Sequence, residues 1–311
     1  MAVLEISDLI AAWDPVTGER LPVARTDVVA RLRAAGDERA VRIVEQMPAS
    51  DGILEPGAVD RLYVRVHTEL QRLGEELHLA RRFTELLVPV LAAVRAAGWG
   101  PPLRVVDIGC GVGFVVRTLA ASGILGTDVE LLGVDQNPVL VAEAARLADD
   151  EGLPCRFVCG DAFALTEAAT VYLSSGLLHH LHAGALPDFF GAQVDRGAAA
   201  FIHYDIASTR LAPLGAWVFH RARMREPLGR HDGVASARRA HDHRLLLAAA
   251  AQAQGMDTFV FRPVFHTNPF CAAMHPVVGI RPELAEGFRR ALGRRARWLV
   301  GASGRGEKAG P

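Results

Sequence analysis

The stretch RVVDIGCGVGF, residues 104–114, places an aspartate and three alternate glycines directly after a run of apolar residues. Ordering a glycine costs backbone entropy, so Gly109, Gly111 and Gly113 predict positive φ angles or a ligand held against the main chain. A strand, a glycine loop and a helix in succession turn backbone N–H groups and a helix N-terminus toward a ligand. The stretch therefore predicts an anion or nucleotide site.

Two common nucleotide motifs are excluded by the residues that follow. The dinucleotide pattern needs glycine or alanine three positions after Gly111, where this chain has Phe114. The loop also has no Lys followed by Ser or Thr, which a phosphate-binding P-loop requires. A different small molecule must be held there.

Acidic residues follow two further apolar runs of the sequence. Asp135 ends the run in LLGVDQN, Asp161 stands in CGDAF, and the segment VYLSSGLLHHL follows at 171–181. With the glycine loop, these motifs resemble in type and order four motifs of the class I S-adenosylmethionine-dependent methyltransferases. The resemblance covers roughly residues 100–280, and it implies S-adenosylmethionine as the cofactor. A sulfonium cofactor has no phosphate, which agrees with a loop that lacks Lys and Arg.

The resemblance implies roles for the residues at the methionine and ribose ends of the cofactor. Asp107 orients the loop and the methionine ammonium, and Asp135 accepts hydrogen bonds from the ribose diol. Without a cofactor role, Asp135 would cap the next helix. Ser174 belongs to the motif that closes the methionine end; the family often has Ser-Asn where this chain has Ser174 and Ser175, and a backbone contact would survive that change.

The adenine end is assigned in the same way. Asp161, with the backbone near Ala162, reads the adenine edge, while Gln136 and Phe163 flank its faces. The alternative for Asp161 is the cap of a turn. The complete set of predicted cofactor-binding residues is Asp107, Gly109, Gly111, Gly113, Asp135, Gln136, Asp161, Ala162, Phe163 and Ser174.

Three histidines are candidates for a general base. Methyl transfer from a sulfonium is an in-line displacement in which alignment does most of the work, and a base is needed only where the nucleophile starts protonated. His179 and His180 follow the fourth predicted strand, and His203 ends the fifth. The sequence favours His180 among the three; the alternative for each is packing and hydrogen bonding.

The run His241-Asp242-His243 contains two types of metal ligand. Adjacent residues on a helix point in different directions, so the run predicts a helix start in which Asp242 complements the dipole. We expect no metal site.

The order of elements predicts an α/β fold. Short apolar strands alternate with helices from residue 103 to 207, which calls for a parallel sheet covered on both faces. The segments around 257–265 and 270–280 predict an antiparallel hairpin with its turn at 266–269. Together these elements predict a Rossmann-like, doubly wound, mostly parallel seven-stranded sheet with an antiparallel C-terminal hairpin, preceded by an N-terminal helical region.

The same pattern predicts the domain organisation. Residues 1–99 have apolar positions at helical spacing and should form a helical lid region, while 100–280 should form the cofactor-binding domain. Within it, residues 206–243 make up an Arg-rich insertion expected to serve the acceptor site. Residues 281–311 predict a basic helix, ending near 299, and a flexible tail.

The composition of the chain bears on its binding partners and on its cellular compartment. The net charge of −1 over 311 residues makes nucleic acid an unlikely partner, because phosphate binding needs a surplus of Lys and Arg. No apolar run approaches the length of a membrane span, so we expect no membrane partner. Four cysteines without C-x-x-C spacing favour reduced thiols in a cytoplasm.

The leading hypothesis from the sequence is methyl transfer to a small-molecule acceptor, at oxygen, nitrogen or carbon. A second hypothesis is methylation of RNA or protein, drawing on Arg294, Arg295 and Arg297. A third is a non-catalytic S-adenosylmethionine-binding protein, against which the intact acids at 107, 135 and 161 argue. The acceptor, the atom methylated and the oligomeric state are left open.

Overall fold

The computed structural model describes residues 3–14, 19–261 and 273–301. The chain forms two compact units. The helical unit comprises Met1–Leu73 and Thr209–Arg239, and the sheet unit comprises Gly74–Ser208 and Ala240–Pro311. The predicted turn at 266–269 and the predicted tail beyond 301 lie outside the described residues.

The α-helices of the described residues are α1 (Arg25–Ala34), α2 (Glu38–Glu45), α3 (Pro56–Glu76), α4 (Leu79–Ala96), α5 (Phe114–Ser122), α6 (Pro138–Asp150), α7 (Leu186–Asp195), α8 (Ala212–Arg223), α9 (Pro227–Arg239), α10 (His243–Ala250) and α11 (Pro282–Leu292). Within the described ranges, none of these helices combines the length and the apolar character that a membrane-spanning segment requires.

The strands are β1 (Ala12–Trp13), β2 (Arg20–Leu21), β3 (Ala49–Ser50), β4 (Ile53–Leu54), β5 (Leu103–Ile108), β6 (Val129–Asp135), β7 (Cys155–Cys159), β8 (Val171–Ser175), β9 (Ala200–Ile206), β10 (Asp257–Phe261), β11 (Met274–Ile280) and β12 (Leu299–Gly301). β1 pairs with β2 and β3 with β4 as two small ladders of the helical unit. The other eight strands form one sheet.

The large sheet has the order β12-β10-β11-β9-β8-β5-β6-β7. Neighbours from β9 to β7 are parallel, whereas β11 runs antiparallel to β9 and β10. This confirms the predicted Rossmann-like α/β fold with antiparallel C-terminal strands. Six of the seven residues of β9 are buried, as expected for a parallel strand covered on both faces.

The sheet has one strand more than predicted, because β12 pairs with the edge of β10 through residues 259–261. The predicted helix near 282–299 is observed as α11 followed by a 3-10 helix over Gly293–Trp298. α11 ends at Leu292, where Gly293 takes a φ of +59° and the chain leaves the helix. The apolar residues that follow are then available to extend the sheet.

Helix α4 belongs to the sheet unit, although the sequence placed it in the N-terminal helical region. Its apolar face, including Phe83, Leu86 and Val90, is fully buried. Pro89 lies inside the helix without ending it. The break falls instead at His78, whose φ is +52°, between α3 and α4.

The position of the ligand site follows from the strand order. From β5 the chain proceeds to β6 and β7 on one side, then returns to β8 and β9 on the other. Ligands of such sheets bind outside the carboxyl ends of the strands where the order reverses. This switch point lies between the ends of β5 and β8, next to the glycine loop.

Candidate functional site

The glycine loop adopts the predicted backbone conformation. Gly109, Gly111 and Gly113 have φ angles of +71°, +55° and +74°. A Cβ at Gly113 would lie 2.5 Å from the ring of Phe157, and one at Gly109 would lie 3.2 Å from Leu177. The spacing of the glycines predicted that another group lies close to the main chain. At Gly109 and Gly113 that group is a side chain of the protein itself.

Asp135, at the end of β6, fastens the loop to the next helix. Its Oδ2 accepts a hydrogen bond of 2.8 Å from the backbone N–H of Gly111, and its Oδ1 accepts one of 2.9 Å from that of Asn137. The helix cap is Asn137, whose side chain accepts from Val139. Each carboxylate oxygen of Asp135 has a second lone pair, so a diol can still be bound.

Asp107 is a buried carboxyl group with a raised pKa. It lies in β5 and is 2% exposed, and its Oδ1 has no hydrogen-bond partner among the described residues. Burial, together with the charge of Asp135, raises its pKa to about 8. A buried carboxyl oxygen without a donor is costly, and a cationic ligand group beside it would remove that cost.

Asp161 and its neighbours follow the end of β7. Cys159 is paired with Asp135 in the ladder, and the N–H of Gly160 donates to the carbonyl of Asp135, so Asp161 comes next at the same edge. Its Oδ1 accepts from the N–H of Phe163 at 2.7 Å, which is the turn cap considered above.

The other predicted adenine contacts lie beside this turn. The ring of Phe163 is 41% exposed and stands edge-on to Phe189 at 6.1 Å between ring centroids. Gln136 is exposed, and Ala162 packs against the apolar core. The structure thus brings this group to the edge of the sheet that carries Asp135.

The side chain of Ser174 does not face the switch point. It is fully buried, and its Oγ lies 2.8 Å from Nδ1 of His203. The backbone of Ser174 is thus the part of this residue that remains for a cofactor contact.

His203 is fully buried, and its hydrogen bonds identify its protonation state. Gln193 uses its amide nitrogen to donate to the carbonyl of Phe189, so its Oε1 faces His203 Nε2 at 2.9 Å. Nε2 therefore carries the proton, and Nδ1 accepts from Ser174. Burial lowers the pKa of His203 to about 3, and Phe201 stacks on its ring. This geometry corrects the prediction of His203 as a base, because the ring is neutral and engaged on both sides.

His179 is held by Asp205 in a two-point contact. The short helical turn Leu178–His180 follows β8, and the backbone N–H of His179 donates to Asp205 Oδ2 at 2.6 Å. His179 Nδ1 lies 2.7 Å from Asp205 Oδ1 and donates to it, which makes Nε2 the acceptor nitrogen of the ring. Burial of Asp205 opposes its charge, but His179 and two backbone N–H groups hold its pKa below the ordinary value.

Two further features fix the turn that carries the histidines. His241 Nε2 lies 3.1 and 2.9 Å from the carbonyls of Leu178 and Leu181 and donates to both. The ring of His180 is half-buried, with its centroid 4.4 Å from that of His179. The sequence did not predict that Asp205 and His241 hold this turn. For Asp205 the available signal was an acid at the end of a strand, near two adjacent histidines.

The predicted helix start at Asp242 is also observed. Asp242 precedes α10, and its side chain accepts from the N–H of Arg244 at 2.8 Å. Its carboxylate is therefore used as a helix cap.

Comparison with known proteins decides the class of the protein. Residues 105–194, from β5 through α7, match the family model of a methyltransferase domain. This part of the chain is a methyltransferase domain. The match confirms the prediction of a methyltransferase domain over these residues. No curated protein sequence matches the chain.

Three solved structures are similar to this chain at low sequence identity. Magnesium protoporphyrin IX methyltransferase from Synechocystis PCC 6803 with bound SAH is 18% identical, with coverage of 83% of this chain and 99% of that chain and a TM-score of 0.43. The PH0226 protein from Pyrococcus horikoshii OT3 is 17% identical, with coverage of 65% and 90% and a TM-score of 0.43. A SAM-dependent methyltransferase from Aquifex aeolicus is 14% identical, with coverage of 66% and 98% and a TM-score of 0.41.

Proposed function

We propose that the protein transfers the methyl group of S-adenosylmethionine to a small-molecule acceptor. The observation that carries the cofactor site is Asp107, a buried carboxyl beside the glycine loop whose Oδ1 has no donor among the described residues. When bound, the cofactor supplies an electrophilic methyl carbon on a sulfonium; the acceptor attacks it in line, and the electron pair of the broken S–C bond returns to sulfur.

The residues of the sheet unit divide the work of holding this cofactor. Asp107 pairs with the cationic methionine end, and Asp135 keeps the loop in place while its remaining lone pairs accept from the ribose diol. Asp161, with the backbone near Ala162, reads the adenine edge, and Gln136 and Phe163 flank its faces. The three glycines adopt the positive φ angles that the loop beside the cofactor requires.

The first prediction is that S-adenosylmethionine binds and NAD does not, and that binding releases a proton. With a pKa of about 8, Asp107 is mostly protonated at pH 7, and an ammonium beside it favours the ionised form. Binding therefore strengthens as the pH rises toward about 8, while the ammonium of the ligand keeps its proton. Calorimetry in two buffers of different ionisation enthalpy measures the proton.

The matched control is Asp107→Asn, which keeps the shape and removes the titration. We expect this variant to bind the cofactor more weakly and to release no proton from this site. Binding of NAD alone would overturn the proposed function. Binding of S-adenosylmethionine without proton release would overturn only the role given to Asp107.

The second prediction concerns Asp135. Asp135→Ala should weaken cofactor binding by about 2–4 kcal/mol, because the diol loses a charged acceptor and the N–H of Gly111 loses its partner. Asp135→Asn retains one acceptor oxygen and should lose less. Calorimetry gives the affinities, and thermal unfolding reports folding. Parental affinity in both variants would mean that the ribose is held elsewhere.

The third prediction assigns acceptor selection to the helical unit. α8 and α9, from the predicted insertion 206–243, belong to this unit, and Asp232 in α9 accepts from the N–H groups of Ile6 and Ser7. Exchanging 206–243 alone for the segment of a related enzyme should therefore unfold the unit. Exchanging it together with residues 1–73 should change the acceptor and leave the cofactor dissociation constant unchanged.

The acceptor itself is found by methyl labelling. The protein is incubated with cell extract and S-adenosylmethionine carrying a labelled methyl group, and the extract is separated into small molecules, RNA and protein. We expect the label in the small-molecule fraction. Label confined to RNA or protein would contradict the acceptor class and leave the cofactor result standing.

A further inference from the structure

The orientation of α8 within the helical unit is fixed by close packing on α9. A Cβ at Gly233 would lie 2.1 Å from the ring of His220, and one at Gly229 would lie 2.6 Å from Met224. His220 Nδ1 lies 2.8 Å from the sulfur of Met224 one turn further on. These two glycines, one turn apart in α9, let α8 approach so closely that its inner face cannot turn outward.

Part of the surface of α8 and of the residue before it is apolar and exposed. Leu214, Trp217 and Val218 are 59%, 48% and 53% exposed, and Leu211 just before the helix is 72% exposed. The described residues contain ten exposed large hydrophobic side chains, and four of them lie in these eight positions. Single exposed apolar side chains are ordinary, whereas a cluster of this density marks an interaction surface.

The segment that carries this face is rich in arginine. From Ala207 to Arg225 the chain has four arginines, at 210, 221, 223 and 225, and no Asp or Glu, although the whole chain carries a net charge of −1. Two acids lie at the end of this segment: Glu69 accepts from the N–H of Arg225, and Glu226 pairs with Arg65. The face therefore calls for a partner that is both apolar and anionic.

An anionic lipid surface meets both requirements. A helix with Leu and Trp on one face and arginines beside them lies in the plane of a bilayer, with its apolar side chains below the headgroups. A second copy of the chain would bring the same positive charge against this face, and nucleic acid offers no apolar layer for Leu214 and Val218.

We propose that α8 binds the surface of an anionic bilayer through Leu211, Leu214, Trp217 and Val218, with the arginines at the headgroups. This contact needs no spanning segment, so it revises the expectation of no membrane partner, which rested on the lack of an apolar run long enough to span.

The test is co-sedimentation of the full chain with vesicles of phosphatidylcholine, with and without phosphatidylglycerol. We expect binding to the anionic vesicles and its loss in high salt. Leu214→Gln combined with Val218→Gln should weaken binding by at least about tenfold. Arg221→Gln should weaken it by about fivefold.

Ile124→Gln is the matched control, because Ile124 is 56% exposed and belongs to the sheet unit. It should bind vesicles like the parent, and thermal unfolding verifies that all variants fold. Equal binding to neutral vesicles, no binding to either kind, or parental binding by the double variant would each overturn the proposal. A dimer that the double variant dissociates, without vesicle binding, would assign this face to a second copy.

Discussion

Replacing His231 by leucine is expected to destabilise the helical unit by about 3 kcal/mol. His231 is buried in α9, with Nδ1 at 2.7 Å from Asp232 Oδ1 and Nε2 at 2.8 Å from Asp37 Oδ2. Both partners are acceptors, so both ring nitrogens carry protons and the ring is a cation. Its removal leaves two carboxylates facing an apolar side chain. Breaking a buried ion pair costs about 3–5 kcal/mol, and we expect the lower value because the side chain of Asp37 is 34% exposed.

This imidazolium connects three distant segments of the helical unit. Asp37 caps α2 by accepting from the N–H of Ala40, and Asp232 accepts from the N–H groups of Ile6 and Ser7. Denaturant unfolding of the two variants measures the effect. His243→Leu is the matched control: it removes an exposed histidine and should change the stability by less than about 0.5 kcal/mol.

The contribution of His231 depends on pH with a definite sign. Burial lowers its pKa, but the hydrogen bonds to Asp232 and Asp37 outweigh burial and raise the pKa above 6.5. The stabilisation is therefore fully present below pH 6.5 and is lost as the pH rises through the folded-state pKa. The pKa of Asp37 is lowered from 3.8, so its contribution is lost only as the pH falls through that lower value. A parent-to-variant difference that stayed constant between about pH 5 and pH 9 would contradict a charged His231.

The glycine loop and the strand order were predictable because their signals are local. Alternate glycines after a β-branched run specify a turn, and the acids at 135 and 161 stand at the ends of short apolar runs. The contacts of His231 carry no such signal, since Asp37 lies 194 positions away in the sequence. β12 was missed for a related reason: three residues form a strand only where the edge of another strand is available.

The positions of Ser174 and His203 show what the sequence lacks at a strand end. These residues are paired in the parallel ladder of β8 and β9, so their side chains share one face of the sheet. That face is covered by Phe189 and Phe201, which places both side chains in the core. Asp205, two residues further along β9, lies on the same face but beyond the end of β8, where the turn with His179 covers it. Knowing that a residue ends a strand does not give its face.

The last prediction concerns the proton of the acceptor. If the acceptor is a hydroxyl, His179→Gln should lower turnover by about 10²–10⁴-fold, because His179 is the candidate whose acceptor nitrogen is set by a buried carboxylate. The sequence favoured His180, but Asp205 contacts His179 by both carboxylate oxygens. His180→Gln should therefore stay within about threefold of the parent.

Asp205→Asn separates positioning from packing at the same site. Asparagine fills the same volume, but its single oxygen cannot serve both the backbone N–H and Nδ1 of His179, so the tautomer that makes Nε2 basic is no longer enforced. With the acceptor found by methyl labelling, kcat should fall in this variant, and the Michaelis constant should change little. A rise in the Michaelis constant alone would mean that His179 and Asp205 have a structural role and do not accept the proton. Turnover within about threefold of the parent in all of these variants would mean that alignment drives the reaction or that the acceptor atom carries no proton to remove.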